Sequence, residues 1–237
     1  MKLQSVVVFA VFAAAGFSQS RFQPGNAPFL AFDAPVVALT HVRVIDGTGH
    51  AAREDQTIII AGTRIAAVGA TSALTVPPSA RVLDLRDHTV IPGLVGMHEH
   101  TYFQTDSRLS QMSVSAPRLY LANGVTTIRT TGGMFPYNEV NMRRAVEQGT
   151  LAGPRMHITG PYLNGGEGSA RSPERHLRNE EDARRVIAYW ASEGATWLKF
   201  MPDVSRSVLA AGIDEAHRRG MKVTGHLCSV TFREAVR

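Results

Sequence analysis

Short alternating runs of hydrophobic and polar residues dominate the chain between residues 36 and 91. Turn signals such as Asp46-Gly47-Thr48-Gly49 and Ala61-Gly62-Thr63 separate the runs, which is typical of β-strands joined by tight turns. The predicted strands are Val36–Leu39, His41–Ile45, Thr57–Ile60, Arg64–Val68 and Arg81–Leu85. Residues 36–91 are therefore predicted to form a small β-domain, and the Pro- and Gly-containing residues 21–35 to form a linker.

From Val90 onward the pattern changes to strand, loop and helix, repeated along the chain. Asn179 precedes apolar residues at helical spacing and Gly194 follows them, which predicts a capped amphipathic helix. A second such pattern, Val208 to Ala216, ends at Gly220. The predicted strands are Val90–Met97, Val125–Thr130, Arg155–Thr159, Thr196–Met201 and Met221–His226. Alternating strands and crossover helices indicate an α/β fold with a parallel sheet.

The first twenty residues have the pattern of a secretory signal peptide. Lys2 precedes an apolar run from Leu3 to Phe17, and Ser18-Gln19-Ser20 offers a cleavage site before Arg21. The alternative is an uncleaved membrane anchor, but the run is short for a span of the bilayer. We expect a secreted or periplasmic protein with no membrane attachment after cleavage.

Composition excludes several other classes of protein. A single cysteine among 237 residues rules out a disulfide framework within the chain and any Cys-rich zinc module. The formal charge is +5, but the basic residues are scattered among acidic ones and form no long run. We therefore expect no nucleic-acid partner.

The segment His98-Glu99-His100 is the first candidate for chemistry. Residues two apart on a strand point to the same face, so the two imidazoles are predicted to lie together at a strand end. Paired neutral imidazoles are typical of a zinc-type site. The same three-residue pattern also arises by chance, so the assignment depends on its context.

Lys199 and His226 stand at equivalent places on later strands. Lys199 interrupts an apolar strand, so its amine either reaches solvent or has a lowered pKa that lets it react, including with CO₂ to form a carbamate. His226 ends its strand and is either a structural hydrogen-bonding residue or a ligand. Both follow the pattern of (β/α) folds, which place their active sites at the C-terminal ends of parallel strands.

Together these motifs resemble the amidohydrolase superfamily, in the branch of imidazolonepropionase-like and Xaa-Pro dipeptidase-like enzymes. The matching segments are Val44–Gly49, Val90–Val95 leading into His98–His100, Gly124–Arg129 followed by Gly132-Gly133, Lys199, and Gly220–Val223 with His226. The resemblance implies a (β/α)₈ TIM-like barrel preceded by part of a small β-sandwich. Residues 92–237 would then contain strands one to five of the barrel.

The resemblance also implies a site and a reaction. In a binuclear site His98, His100 and carbamylated Lys199 would hold one divalent metal, most simply zinc, and Lys199 and His226 would share a second. A metal-activated hydroxide would attack the carbonyl of a cyclic amide or a short peptide and so hydrolyse a C–N bond. A mononuclear site and a homo-oligomer both stay open. The alternatives are a related ester or phosphoester hydrolase and a non-catalytic metal-binding or scaffold fragment.

The chain departs from the family pattern in two places. Arg129 is followed by Thr130 and Thr131, where many relatives have Asp, so we expect a supporting carboxylate to be missing. The family's further His ligand and its proton-shuttle Asp are expected beyond Arg237, so no catalytic residue is assigned. We expect the chain to be an incomplete N-terminal portion, and residues 21–237 alone to be aggregation-prone and inactive.

Overall fold

The computed structural model of the chain describes residues 23–106, 108–166, 174–226 and 228–235. The predicted signal peptide lies outside the described residues. The described strands are β1 (Val36–Val44), β2 (Arg53–Ala61), β3 (Arg64–Ala70), β4 (Arg81–Asp84), β5 (Thr89–Val90), β6 (Leu94–Glu99), β7 (Tyr102–Gln104), β8 (Leu109–Gln111), β9 (Val125–Thr130), β10 (Arg155–His157), β11 (Tyr162–Asn164), β12 (Arg175–His176), β13 (Trp197–Phe200) and β14 (Lys222–Gly225). The described helices are α1 (Ser115–Ala122), α2 (Pro136–Glu147), α3 (Glu180–Ser192), α4 (Arg206–Arg218) and α5 (Phe232–Ala235), preceded by a 3₁₀ helix over Pro24–Phe29.

The first sheet contains β1 to β5, in the order β3-β2-β1-β4, with β5 also on β1. β2 is antiparallel to β1 and to β3, whereas β4 and β5 run parallel to β1. The separate strands predicted on either side of Thr40 form one strand, β1, with a register shift between Leu39 and Val42. His41 lies in that shift with a positive φ of 59°, so a bulge bends the strand without ending it.

The single strand predicted over Val90–Met97 is wrong, because the structure divides it. Val90 pairs with Val44 in the first sheet, and a new strand, β6, begins at Leu94 and pairs with β9. Pro92 lies between them and has no N–H to donate, which breaks the ladder at that point. Because of this break, Val90 belongs to the first sheet and Leu94 to the next one.

Among the later strands, β7 and β8 pair as an antiparallel hairpin. The others form two parallel sheets, in the orders β10-β9-β6 and β12-β11-β13-β14. Backbone bonds around residues 158–161 join them: Trp197 N–H donates to the Ile158 carbonyl at 3.2 Å, and Gly133 N–H to the Gly160 carbonyl at 2.8 Å. The fold is therefore mixed α/β, and its parallel strands follow one another in chain order except for β12, which pairs with β11. This order brings their C-terminal ends to one edge.

Helices α3 and α4 cover β13 and β14 as their sequence patterns predict. The Asn179 side chain accepts a hydrogen bond from Asp182 N–H, and the Ser205 side chain accepts one from Val208 N–H, which caps the two helices. Their apolar faces enter one core cluster with the inner residues of the strands. Its members include Ala183, Val186, Ile187, Trp190, Leu198, Phe200, Val208, Leu209 and Ala216.

The segment before the first sheet is held against the parallel-strand region. Asn26 is buried in the 3₁₀ helix and donates to the Gly149 carbonyl at 2.8 Å, while its Oδ1 accepts from Ala152 N–H at 3.0 Å. These bonds tie residues 23–30 to the turn after α2. Within the described ranges, no helix combines the length and the apolar character that crossing a bilayer requires.

Candidate metal centre

His98 and His100 lie at the C-terminal end of β6, as the two-residue spacing predicts. His98 is on the strand and exposed, and His100 follows Glu99 and is half-buried. Their ring centroids are 5.5 Å apart in an edge-to-face arrangement. The strand end thus presents two imidazoles side by side.

Both imidazoles are shifted toward their neutral form. Burial is the main cause of the lowered pKa of His98, followed by the positive charges of Lys199 and Arg129. Burial also lowers the pKa of His100, with His98 and Lys199 as further causes. A neutral imidazole keeps the nitrogen lone pair that a metal ion requires.

Lys199 is buried in the centre of its sheet. It lies on β13, opposite Tyr162 of β11 and Thr224 of β14, and only 4% of the residue is exposed. This degree of burial does not support the alternative of an ammonium group that reaches solvent. Burial and, next, the charge of Arg129 lower the pKa of Lys199, which favours a neutral and reactive amine.

His226 directly follows β14, and its backbone N–H donates to the Phe200 carbonyl at 3.0 Å. Its side chain is exposed, but it acts electrostatically on His98 and helps to lower that residue's pKa. The structure therefore brings all four predicted ligands to the same edge of the parallel strands. The rings of His98 and His100 are in contact. Lys199 and His226 lie near enough for their positive charges to lower the pKa of His98.

Three tyrosines around His100 were not predicted from the sequence. The Tyr162 hydroxyl lies 3.4 Å from Nδ1 of His100, and the Tyr102 hydroxyl is 2.8 Å from that of Tyr162. From α1, Tyr120 donates to the His100 carbonyl at 2.9 Å. Burial is the main cause of raised pKa values for Tyr120 and Tyr162, so both phenols stay protonated. No local pattern marks these residues, since 60 positions separate Tyr102 from Tyr162.

A buried carboxyl group that was not predicted from the sequence also lies at this edge. Glu139, in the first turn of α2, is fully buried and accepts a hydrogen bond from the Thr101 hydroxyl at 3.1 Å. Burial raises its pKa to about 7, although the hydroxyls of Thr130 and Thr101 oppose the change. This acid lies on the helix that follows Arg129, whereas Thr130 and Thr131 occupy the positions directly after Arg129.

The donor set at this edge fits a divalent cation. In the described part of the chain, no three His, Cys, Asp or Glu side chains come close enough together to hold a metal ion. Lys199, which is not one of these four residue types, is the further candidate beside His98 and His100. It would supply oxygen ligands only as a carbamate. Two neutral imidazoles are nitrogen donors of the kind that divalent transition-metal ions bind.

Comparisons with known proteins identify the family of the chain. A sequence profile described as the amidohydrolase family matches residues 89–231, which is more than half of the chain. The chain belongs to the amidohydrolase family. Members of this superfamily generally depend on divalent metals. No curated protein sequence matches this amidohydrolase chain.

Solved structures extend the comparison. A proposed prolidase from Bifidobacterium longum is 27% identical, with a TM-score of 0.69 over 81% of this chain and 49% of that one. A Xaa-Pro dipeptidase with bound methionine is 19% identical, with a TM-score of 0.68 over 81% of this chain and 56% of that one. Phenylurea hydrolase B is 22% identical, with a TM-score of 0.64 over 81% of this chain and 55% of that one. This amidohydrolase chain thus spans about half the length of the structures that it matches.

Proposed function

We propose that the protein is a metal-dependent hydrolase that cleaves a C–N bond in a cyclic amide or a short peptide. His98, His100 and Lys199 would hold one divalent cation, most simply zinc, and Lys199 and His226 a second. The observation that carries the proposal is the burial of Lys199, with a lowered pKa, at the strand edge that also presents His98 and His100. Family membership supports the same reading.

The chain's own residues prepare this site for a cation. The neutral amine of Lys199 would attack CO₂, form an N–C bond and release one proton, which leaves an anionic carbamate in place of the buried neutral amine. The Tyr162 hydroxyl, near Nδ1 of His100, limits how that ring can rotate. When bound, a divalent cation polarises a carbonyl group and lowers the pKa of water.

The same proposal extends to the fold and to export. The strands β6, β9, β10 with β11, β13 and β14 would correspond to strands one to five of a (β/α)₈ barrel, because they follow one another in chain order. Residues 36–91 would contribute to a β-sandwich and residues 1–20 would direct secretion or periplasmic export. The likeness to solved amidohydrolase structures supports the barrel.

Metal analysis of the full-length protein that carries this chain tests the ligand assignment. We expect near-stoichiometric zinc in the wild type, loss of most of it in His98→Ala, and retention in His50→Ala. His50 is a suitable control because it is exposed in the turn region after β1. Unchanged metal content in His98→Ala would contradict the assignment.

Lys199 is tested separately by mass spectrometry and by chemical rescue. The carbamate predicts an added CO₂ on the metal-bound protein and partial recovery of Lys199→Ala activity by small carboxylic acids. An unmodified Lys199 in an active enzyme would leave a mononuclear site.

A substrate panel tests the reaction class. Xaa-Pro dipeptides come first, because the structure with 27% identity is a proposed prolidase. Cyclic amides, esters and phosphoesters complete the panel. Turnover of esters alone would replace the C–N assignment, and no turnover by a zinc-loaded protein would favour the scaffold alternative.

A further inference from the structure

We propose that Glu139 is a positioning residue for His100, acting through a hydrogen bond to Thr101. The inference deepens the proposed function, since it takes His100 as a metal ligand. Glu139 lies on α2, whereas His100 and Thr101 follow β6, so the bond joins two elements that are distant along the chain. Its Oε1 accepts the Thr101 hydroxyl at 3.1 Å across 38 positions.

Thr101 is the residue through which the carboxyl group reaches the histidine. It is fully buried, and Gln111 of the β7–β8 hairpin donates from the other side to its hydroxyl at 2.9 Å and to its carbonyl at 2.8 Å. The Gln111–Thr101–Glu139 series therefore fixes both side chain and backbone of the residue next to His100. A peptide unit held in this way leaves His100 little freedom to shift.

Glycine residues make room for this arrangement. A Cβ on Gly133 would lie 3.2 Å from Oε2 of Glu139 and 3.1 Å from its Cδ. A Cβ on Gly132, which has a positive φ of 86°, would lie 2.4 Å from the ring of Tyr162. The Gly132-Gly133 pair thus lets the carboxyl group and the phenol approach the same strand end.

The burial of Glu139 argues against a role as simple packing. Burying a carboxyl group is costly unless its oxygens are satisfied, and an apolar side chain would fill the same space at no such cost. Yet Oε2 of Glu139 has no hydrogen-bond partner among the described residues, and Oγ1 of Thr131 is likewise buried and unpaired. The bond from the Thr101 hydroxyl is therefore the contact through which this carboxyl group can act on the strand end.

The bond is tested from both ends in the full-length protein. Glu139→Ala and Thr101→Val remove it, while Glu139→Gln and Thr101→Ser retain an acceptor or a hydroxyl. Glu147→Gln, exposed at the end of the same helix, is the matched control. One readout is the rate at which diethyl pyrocarbonate modifies the His100 ring in metal-free protein, followed by peptide mass spectrometry. The other is zinc affinity, measured by competition with a chelator.

We expect Glu139→Ala and Thr101→Val each to speed modification of His100 and to weaken zinc binding by about 10- to 100-fold. The double variant should be no worse than Thr101→Val, which by itself already lacks the bond to Glu139 and the bond from Gln111 to the hydroxyl. Glu139→Gln, Thr101→Ser and Glu147→Gln should resemble the wild type.

Unchanged His100 modification and zinc affinity in folded Glu139→Ala and Thr101→Val would overturn the proposal. If Glu139→Ala does not fold, the nearly isosteric Thr101→Val decides by the same two measurements. A wild type that binds no zinc would remove the proposed function, whereas the modification of His100 would still decide whether Glu139 positions it.

Discussion

Two parallel strands carry predicted ligands, but their surroundings differ. β13 pairs with β11 on one side and β14 on the other, and its residues Leu198, Lys199 and Phe200 are all buried. Among the described strands, β6 pairs only with β9, and its residues Val95 and Met97 are 57% and 52% exposed. The number of neighbouring strands, together with the covering helices, decides whether a strand residue is buried.

This difference affects the chemistry of the ligands as well as packing. Lys199 lies where burial destabilises its charged form, so its amine is predisposed to react. His98 stays exposed on β6, where a cation from solvent can reach it. The proposed site would therefore combine a ligand prepared by burial with one that remains accessible.

The largest change in the free energy of unfolding is expected in the core next to Lys199. Phe200→Ala should lower the free energy of unfolding by about 3–5 kcal/mol, because it leaves a cavity where the side chain is only 1% exposed. Val95→Ala on β6 should change it by no more than about 0.5 kcal/mol. Urea unfolding of both variants measures the contrast, and similar losses would show that β6 is as well buried as β13.

The buried acid behind β6 predicts a pH dependence of stability. The pKa of Glu139 rises from an ordinary 4.5 to about 7 on folding, so the folded protein binds its proton more tightly than the unfolded chain does. Its contribution is fully present below pH 4.5 and is lost as the pH rises through about 7. The loss should amount to about 3 kcal/mol.

Glu139→Gln cannot titrate and should remove this part of the pH dependence. Glu147→Gln, exposed on the same helix, should keep it. Unfolding measured at several pH values between about 4 and 8 distinguishes the two variants, because this interval covers both pKa values of Glu139. An identical profile for all three proteins would mean that Glu139 is not the group that titrates.

A smaller effect is expected at the helix that covers β13. Asn179→Ala removes the side-chain cap of α3 and should cost about 1 kcal/mol. Asn138→Ala, exposed in the first turn of α2, provides a matched control and should have little effect. Thermal or urea unfolding measures both, and equal changes would argue against the cap.

The smallest change in stability is predicted at the exposed strand, where association is the relevant readout. Val95→Lys should change the free energy of unfolding by less than about 0.5 kcal/mol, since the site is already exposed. It should nevertheless reduce self-association of residues 21–237, because a charge on an edge strand opposes pairing with another chain. Light scattering against concentration measures this, and equal association of both proteins would place the contact elsewhere.

Much of the fold follows from local pattern. The cap at Asn179 and the apolar spacing of both helices depend on residues within a few turns, so the sequence predicts α3 and α4 well. The division of β5 from β6 was missed although Pro92 marks it, because the apolar run continues across the proline. Strand ends, and with them the pairing of His98 with His100, are also local features.

By itself, the sequence determined the helices α3 and α4, most of the longer strands and the strand ends that carry His98, Lys199 and His226, because periodicity, caps and motifs act over short separations. Tertiary structure alone decided that Lys199 is buried, that Tyr162 meets His100, and that Glu139 reaches Thr101 from another element. Those outcomes depend on residues 38 and 62 positions apart meeting at the edge of the sheets. Burial and the pKa values that it sets follow from how the chain packs, which local residue order does not specify.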